Sequence, residues 1–327
     1  MTNTVRLKAI RAAAGRIEGI VHRTPLIDVS DKAQCPLMLK CEHLQVAGAF
    51  KIRGAYNTIV QLTHEFPGRG VITYSSGNHA QAVAYAARQL QIPAVVVMPE
   101  TAPRIKVNGA RSYGAEVLFE GVTSIARRDR AEAEAQVRDL MMIPPFDHPE
   151  IIAGQGTVGV EILEDCDQVS TVYVPIGGGG LISGVGAAVK QMQPDVRVVG
   201  VEPEGGAAMC ASIITGKPVT LERVQSVADG LLPVRPGDLT FAHVTEFVDD
   251  VITVKDEEII QAVKWLMTTA KQVVEPSGAA TVAAVLFASG GARLAHQGMT
   301  VAVLSGGNIA HELLVSLFAE TDRSSCK

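Results

Sequence analysis

The sequence of 327 residues has few cysteines, no excess of positive charge and no long apolar run. Its five cysteines are widely spaced and include no Cys-x-x-Cys pair, a pattern that indicates neither a disulfide framework nor a zinc knuckle. The formal net charge is −5 and the lysines and arginines are scattered, so the sequence predicts no basic surface for nucleic acid or an anionic membrane. These absences leave a small molecule as the expected partner.

No stretch approaches the roughly 20 apolar residues that span a membrane. The N-terminal residues Met1 to Lys8 lack the apolar core of a signal peptide, and we therefore expect a cytoplasmic protein. A hydrophobic content of 47% over this length is sufficient for two lobes with separate cores.

Short β-branched runs alternate along the chain with longer, alanine-rich helical patterns. Strands are predicted at Leu37 to Lys40, Gly70 to Tyr74, Ala94 to Met98, Ala115 to Phe119, Thr171 to Ile176, Val196 to Val201, Val251 to Val254 and Thr300 to Leu304. Helices are predicted at Gln81 to Leu90, Ile151 to Glu164, Ser183 to Met192, Glu257 to Lys271 and Ala279 to Phe287. The alternation predicts an α/β fold with parallel sheets flanked by helices, whose ligands bind at the carboxyl ends of strands.

Three glycine- or serine-rich turns follow predicted strands, at Ser75 to His79, Gly177 to Gly180 and Ser305 to Asn308. A helix that starts after such a turn presents unpaired N–H groups, so we expect an anion at one or more of them. The four consecutive glycines favour a phosphate, because only glycine lets backbone N–H groups curl around it from several directions. A dinucleotide loop is excluded, since Ile182 and Ser183 stand where a G-x-G-x-x-G pattern requires its last glycine.

A lysine, Lys51, stands between Phe50 and Arg53 in the segment Ala49 to Ala55. A lysine amine that is removed from water loses its proton more easily and becomes a nucleophile toward an aldehyde. Together with a phosphate-binding loop, such a lysine favours pyridoxal phosphate as the cofactor.

These motifs resemble those of the fold type II pyridoxal-phosphate enzymes, specifically the serine/threonine dehydratase, serine racemase and 3-hydroxyaspartate dehydratase family. The matching segments run in order from about residue 20 to 310: Glu42 to Gln45, Lys51 to Ala55, Ser75 to Gln81, Ile152 to Thr157, Gly177 to Gly180, Val201 to Pro203, Val227 to Gly230, Val274 to Pro276 and Leu304 to Asn308. The resemblance implies a two-lobed, tryptophan synthase beta-like fold and a homodimer. It divides the chain into a large cofactor-binding domain (residues 1–53 and 148–327) and a small mobile domain (residues 54–147).

The resemblance also implies roles for individual residues around pyridoxal phosphate. Lys51 would bind the cofactor aldehyde covalently, Phe50 would pack beside the ring and Asn78 would hydrogen-bond the ring hydroxyl. Ser305 would face the pyridine nitrogen, where a hydroxyl gives a weaker electron sink than a carboxylate and favours prompt loss of a β-substituent. The phosphate would be held by Gly177, Gly178, Gly179 and Gly180, and the substrate carboxylate by Ser75, Ser76, Asn78 and His79.

The activity implied is dehydration of serine, threonine or 3-hydroxyaspartate to a keto acid and ammonia, with Lys51 as the general base. Ser76 stands where threonine dehydratases usually have alanine, and its hydroxyl would either serve racemisation or only bind the carboxylate. Serine racemase is therefore the nearest alternative, and a β-replacement synthase or a catalytically silent protein are more distant ones. His79 is expected to support the site rather than transfer a proton.

Two further features bear on ligands. Glu202 and the carbonyl of Gly206 are candidate ligands for magnesium, although Ala208 replaces the second acidic residue of the family's cation site. A basic side chain near the substrate β-carbon would favour 3-hydroxyaspartate, and Arg104 and Arg111 are the candidates for that position.

Overall fold

The computed structural model describes residues 4–75, 77–102, 104–121, 124–288 and 298–319. Within these residues the strands, numbered in chain order, are β1 (Leu26–Asp28), β2 (Leu37–Lys40), β3 (Val71–Tyr74), β4 (Ala94–Met98), β5 (Glu116–Phe119), β6 (Met141–Met142), β7 (Val169–Pro175), β8 (Arg197–Pro203), β9 (Asp250–Val254) and β10 (Met299–Val303).

The helices of the described residues connect these strands. They are α1 (Leu7–Ile17), α2 (Ser30–Ala33), α3 (Lys51–Glu65), α4 (Asn78–Gln89), α5 (Arg104–Ser112), α6 (Ser124–Val137), α7 (Pro149–Asp165), α8 (Gly180–Met192), α9 (Ala208–Thr215), α10 (Asp238–Phe247), α11 (Asp256–Trp265), α12 (Pro276–Val282) and α13 (His311–Ala319). Single π-helical turns, Leu266–Ala270 and Ala283–Phe287, extend α11 and α12. None of the described helices is long and apolar enough to cross a membrane.

The strands form two separate sheets. The larger sheet has the order β1-β2-β10-β7-β8-β9, and all of its pairs are parallel except β1 with β2. The smaller sheet has the order β5-β4-β3-β6 and is parallel throughout. The central strands are apolar on both faces, as expected where helices cover a parallel sheet on each side. The predicted α/β class is confirmed.

Each predicted strand overlaps a strand of the structure, whereas β1 and β6 were not predicted. These two have three and two residues, too few to show an alternating or a continuous apolar pattern. The smaller sheet uses only residues between 71 and 142, which lie inside the predicted small domain of residues 54–147. The domain boundaries and the mobility of that domain stay predictions.

Glycines allow helices α3, α7 and α8 to lie unusually close to one another. A Cβ added to Gly154 of α7 would lie 2.6 Å from the Cα of Gly54 in α3, and one added to Gly156 would lie 2.9 Å from the carbonyl oxygen of Gly184 in α8. Because an alanine at either position would collide with backbone atoms, these contacts fix the position of α3, whose first residue is Lys51.

A buried charge cluster holds the same helix from a second direction. Arg53 of α3 is fully buried and donates hydrogen bonds to both carboxylate oxygens of Glu42, at 2.7 and 2.8 Å, and of Glu161 in α7, at 2.6 and 2.9 Å. Lys40 of β2 donates to Glu161 at 2.6 Å, so two positive and two negative charges face one another. Burial alone would raise the pKa of Glu42, but the charge and hydrogen bonds of Arg53 outweigh it and lower that pKa.

The cluster predicts a large difference between two arginine substitutions. We expect Arg53→Met to lower the free energy of unfolding by about 3–5 kcal/mol, because it leaves buried carboxylates without their partner. The matched control is Arg128→Met, which removes an exposed ion pair with Glu132 in α6 and should cost less than about 1 kcal/mol. Urea unfolding followed by circular dichroism measures both, and equal losses would contradict the importance of the buried cluster.

Candidate active site

The candidate site lies at the carboxyl ends of three neighbouring strands of the larger sheet. The segment leading to Lys51 follows β2, the Ser305 to Asn308 turn follows β10, and the Gly177 to Gly180 turn follows β7. Because these strands are adjacent and parallel, the turns after them meet at one edge of the sheet. The turn that leads to Asn78 follows β3 of the smaller sheet and approaches from the opposite side.

Lys51 is the first residue of α3 and keeps only partial exposure. Its Nζ atom donates a hydrogen bond to the carbonyl oxygen of Pro145 at 2.8 Å and lies 5.1 Å from the centre of the Phe50 ring. Burial lowers the pKa of this amine from 10.5 to about 8. A substantial fraction of the side chain is therefore neutral near physiological pH, as a nucleophilic lysine requires.

The main chain before Lys51 is paired with the Ser305 turn. The N–H of Phe50 donates to the carbonyl oxygen of Ser305 at 3.1 Å, the N–H of Gly307 donates to that of Gly48 at 2.9 Å, and Ala49 forms an antiparallel bridge with Gly306. Ser305 is only 4% exposed. Backbone pairing thus fixes the distance between Lys51 and Ser305 without depending on side chains.

The four glycines meet close neighbours on every side. Gly179 precedes α8 with φ of +96°, a conformation that a residue with a Cβ rarely adopts. A Cβ on Gly179 would lie 2.8 Å from Cβ of Thr240, and one on Gly178 would overlap the ring of Phe146. The main chain of the turn is therefore packed tightly, and the first N–H groups of α8 keep no intrahelical partner, an arrangement that suits an anion.

Asn78 is held by two further side chains. Its Nδ2 donates a hydrogen bond to Oε1 of Glu275, and its Oδ1 accepts one from Asn308 at 3.0 Å. One N–H of the Asn78 amide remains for a ligand. Burial, helped by the nearby charge of Asp229, raises the pKa of Glu275 to about 7 against the opposing effects of Lys106 and the hydrogen bond from Asn78.

Sequence reasoning gave Glu275 and Asn308 no role. Both belong to segments that carried the family resemblance, Val274 to Pro276 and Leu304 to Asn308. The signal that could have found Glu275 was a carboxylate between two apolar residues, because such a group needs a buried partner.

The side chain of His79 is held by the main chain of a neighbouring segment. Its Nε2 donates to the carbonyl oxygen of Ile143 at 3.2 Å, and the ring is nearly fully buried. Burial and the charge of Lys51 lower the pKa of His79 to about 3, so the ring stays neutral. The role of His79 in binding the substrate carboxylate stays a prediction. Ser75 is partly exposed and accepts a hydrogen bond from the N–H of Gly77, whereas Ser76 lies outside the described residues.

The candidate cation ligand Glu202 already has two partners. Its carboxylate oxygens accept hydrogen bonds from the N–H groups of Met209 and Cys210, both at 2.8 Å, and so cap helix α9. Burial raises the pKa of Glu202 to about 7, and these hydrogen bonds oppose the rise. The described ranges contain no group of three or more His, Cys, Asp and Glu residues that could hold a metal ion. A magnesium ion bound by Glu202 and Gly206 stays a prediction, and the helix cap competes with it.

The site fits a cofactor that carries an aldehyde and a phosphate. Lys51 offers an amine of lowered pKa, and the start of α8 offers backbone N–H groups two strands away in the same sheet. Asn78 and Ser305 supply polar groups between these two positions.

The sequence profile of the family described as "Pyridoxal-phosphate dependent enzyme" matches residues 17–306, and the chain belongs to this family. It is 44% identical to the L-threonine ammonia-lyase of Thermotoga maritima over 309 residues, which cover 93% of this chain and 76% of that protein. It is 38% identical to an L-threo-3-hydroxyaspartate ammonia-lyase of a Pseudomonas species, over 93% of this chain and 96% of that protein. The solved structure of maize serine racemase superposes with a TM-score of 0.91 at 38% identity and covers 99% of this chain and all of that chain.

The chain is thus a pyridoxal-phosphate enzyme, and the predicted family, fold and cofactor are confirmed.

The lowered pKa of Lys51 predicts how fast the enzyme takes up its cofactor. We expect the rate of covalent attachment of pyridoxal phosphate to cofactor-free enzyme to rise with pH through about 8, because only the neutral amine attacks the aldehyde. The visible absorbance of lysine-bound cofactor, followed at a series of pH values, gives this midpoint. The reference is a free lysine derivative, whose rate should rise only near pH ~10.4. Equal midpoints for the enzyme and the reference would contradict the effect of burial.

Proposed function

We propose that the enzyme catalyses β-elimination of a β-hydroxy amino acid, namely serine, threonine or 3-hydroxyaspartate, with release of a keto acid and ammonia. The observation that carries this proposal is the convergence of the Lys51 amine, the start of α8 and the Asn78–Glu275 pair near the carboxyl ends of the strands. The threonine and 3-hydroxyaspartate ammonia-lyases among its relatives support the reaction class.

Pyridoxal phosphate, when bound, withdraws electrons from the α-carbon of an amino acid and so makes the α-proton acidic. Lys51 and the Gly177 to Gly180 turn would hold it. A lysine amine with a pKa of about 8 is a suitable base for the α-proton, because it is partly neutral near pH 7 and still binds a proton readily. The hydroxyl of Ser305, at the position expected to face the pyridine nitrogen, carries no charge. An uncharged partner there makes the ring a weaker electron sink, which favours early loss of the β-hydroxyl over prolonged accumulation of negative charge.

The substrate carboxylate would be received at the start of α4, a helix of 12 residues, where N–H groups and the helix dipole favour an anion. Ser75 supplies a polar side chain there, Asn78 its backbone N–H at the start of the helix, and Ser76 a further hydroxyl in the proposal. Glu275 orients the Asn78 amide, which leaves one N–H for the ring hydroxyl of the cofactor.

Replacing the lysine tests the core of the proposal. We expect Lys51→Ala to lose the visible absorbance of lysine-bound cofactor and to lower turnover by about a thousandfold or more, because both the attachment point and the base disappear. The assay measures keto acid and ammonia released from L-serine, L-threonine and the isomers of 3-hydroxyaspartate. The control is Lys32→Ala, which alters an exposed lysine of α2 and should keep wild-type turnover. Retained turnover in Lys51→Ala would refute the assignment.

Serine racemisation is the second candidate function, favoured by the close superposition with maize serine racemase. We propose that Ser76 exchanges a proton with the second face of the α-carbon, the face that Lys51 does not serve. Ser76→Ala should then abolish D-serine formation from L-serine and leave keto acid formation within a few-fold of wild type, because Lys51 still serves the first face.

Chiral chromatography of the amino acid, run beside the keto acid assay, separates the two activities. A loss of both by the same factor in Ser76→Ala would indicate that Ser76 only binds the carboxylate. Absence of D-serine from the wild-type reaction would remove the second candidate. The homodimer and the cytoplasmic location stay predictions.

A further inference from the structure

A buried lysine links the two sheets beside the candidate site. Lys106 belongs to α5, which follows β4 of the smaller sheet, and its Nζ donates to Oδ2 of Asp229 at 2.5 Å. Asp229 opens a short 3-10 turn, Asp229–Leu231, in the connection between β8 and β9 of the larger sheet. The side chain of Lys106 is 6% exposed and that of Asp229 is 51% exposed.

The ion pair lies between the two turns that the proposed function assigns to the substrate and the phosphate. A Cβ added to Gly77, in the turn that leads to Asn78, would lie 2.9 Å from Cδ of Lys106 and 3.3 Å from its Nζ. On the other side, the carbonyl oxygen of Gly230 would lie 3.0 Å from a Cβ added to Gly177. Lys106 is therefore a neighbour of the proposed carboxylate turn, and the residue after Asp229 touches the glycine turn.

The two partners differ in how easily they can separate. An ammonium group that is removed from water must keep an anionic partner, because burying it alone costs several kcal/mol. Asp229, with half of its side chain in water, can turn outward at little cost. Lys106 is thus the fixed member of the pair and Asp229 the exchangeable one.

The two arginines considered from the sequence occupy the other face of the same helix. Arg104 and Arg111 are exposed and line a surface pocket with Phe119, and Lys106 does not line that pocket. Lys106 is buried on the same face as Ala110, one helical turn further along α5. Lys106 is therefore a better candidate than Arg104 or Arg111 for a basic side chain beside the substrate.

We propose that Lys106 is a specificity-determining residue that recognises a carboxylate on the β-carbon of the substrate. Asp229 occupies the place of that carboxylate until the substrate arrives. An acidic side chain exchanges with Asp229 on Lys106, and Asp229 turns to water; a neutral side chain leaves the pair intact. This proposal rests on the proposed function, since it takes the amino acid to bind at the turn before Asn78, and it makes 3-hydroxyaspartate the preferred substrate class.

The test compares L-aspartate with L-asparagine, which have almost the same shape, differ by one charge and lack the hydroxyl that would leave. Their dissociation constants for the holoenzyme are measured from the change in cofactor absorbance. We expect Lys106→Met to weaken L-aspartate binding roughly tenfold to a hundredfold and to change L-asparagine binding by less than about twofold. Asp229→Asn should strengthen L-aspartate binding several-fold, because the competing carboxylate is gone.

Arg111→Met is the matched control, since it removes a positive charge from the exposed face of the same helix and should change neither constant. Lys106→Gln, which keeps an N–H donor, replaces Lys106→Met if the latter does not retain the cofactor.

Equal weakening of both amino acids in the Lys106 variant would overturn the proposal, because Lys106 would then serve the α-carboxylate or the fold. Unchanged or weaker L-aspartate binding in Asp229→Asn would overturn it as well, and so would a wild-type enzyme that binds neither amino acid. These binding measurements need no turnover. The proposed function is tested by a different measurement, the keto acid assay, and it would be refuted if no β-hydroxy amino acid released a keto acid.

Discussion

The pairing of Arg53 with Glu42 and Glu161 is the interaction on which the site most depends. It joins the segment after β2 to helices α3 and α7, and it lies two residues beyond Lys51. A fully buried guanidinium has five N–H groups in a fixed plane, so few arrangements satisfy it. Here the carboxylates, Thr157 and the carbonyl oxygen of His22 accept from it, which sets the position and rotation of α3. Lys51 therefore starts from a helix that has little freedom to shift.

The sequence predicted the parts of the site that depend on local pattern. Glycine and serine turns after apolar strands indicated the carboxyl edge of a parallel sheet, and the structure brings the turns at Gly177 and Ser305 to that edge. The sequence could not predict pairs of residues that meet across the fold. Glu275 meets Asn78, and Lys106 meets Asp229, over more than a hundred residues of chain, and spacing along a sequence carries no information about such contacts. Helix periodicity could have separated Lys106 from Arg104 and Arg111, since Lys106 lies one turn from the buried Ala110, whereas the two arginines lie one turn on either side of Val107.

Packing gives a second physical reason for glycines in this turn, beside the proposed binding of a phosphate. The ring of Phe146 lies against Gly178, and Thr240 lies against Gly179, so a Cβ at either position would be excluded even without a ligand. Phe146 also follows Pro145, whose carbonyl oxygen accepts from Lys51. The segment of Pro145 and Phe146 thus contacts both the glycine turn and the Lys51 amine, and it links the shape of the proposed phosphate site to the position of the lysine.

The order of the strands also bears on how the enzyme is made. Strand β10 lies between β2 and β7 in the larger sheet, yet it follows all the other strands along the chain. A growing polypeptide therefore exposes two unpaired strand edges until its last strand has left the ribosome. Only then can the Ser305 turn pair with the main chain beside Lys51. Cofactor binding is therefore expected late in synthesis. A nascent chain stalled before β10 would hold Lys51 beside a sheet that lacks the strand between β2 and β7.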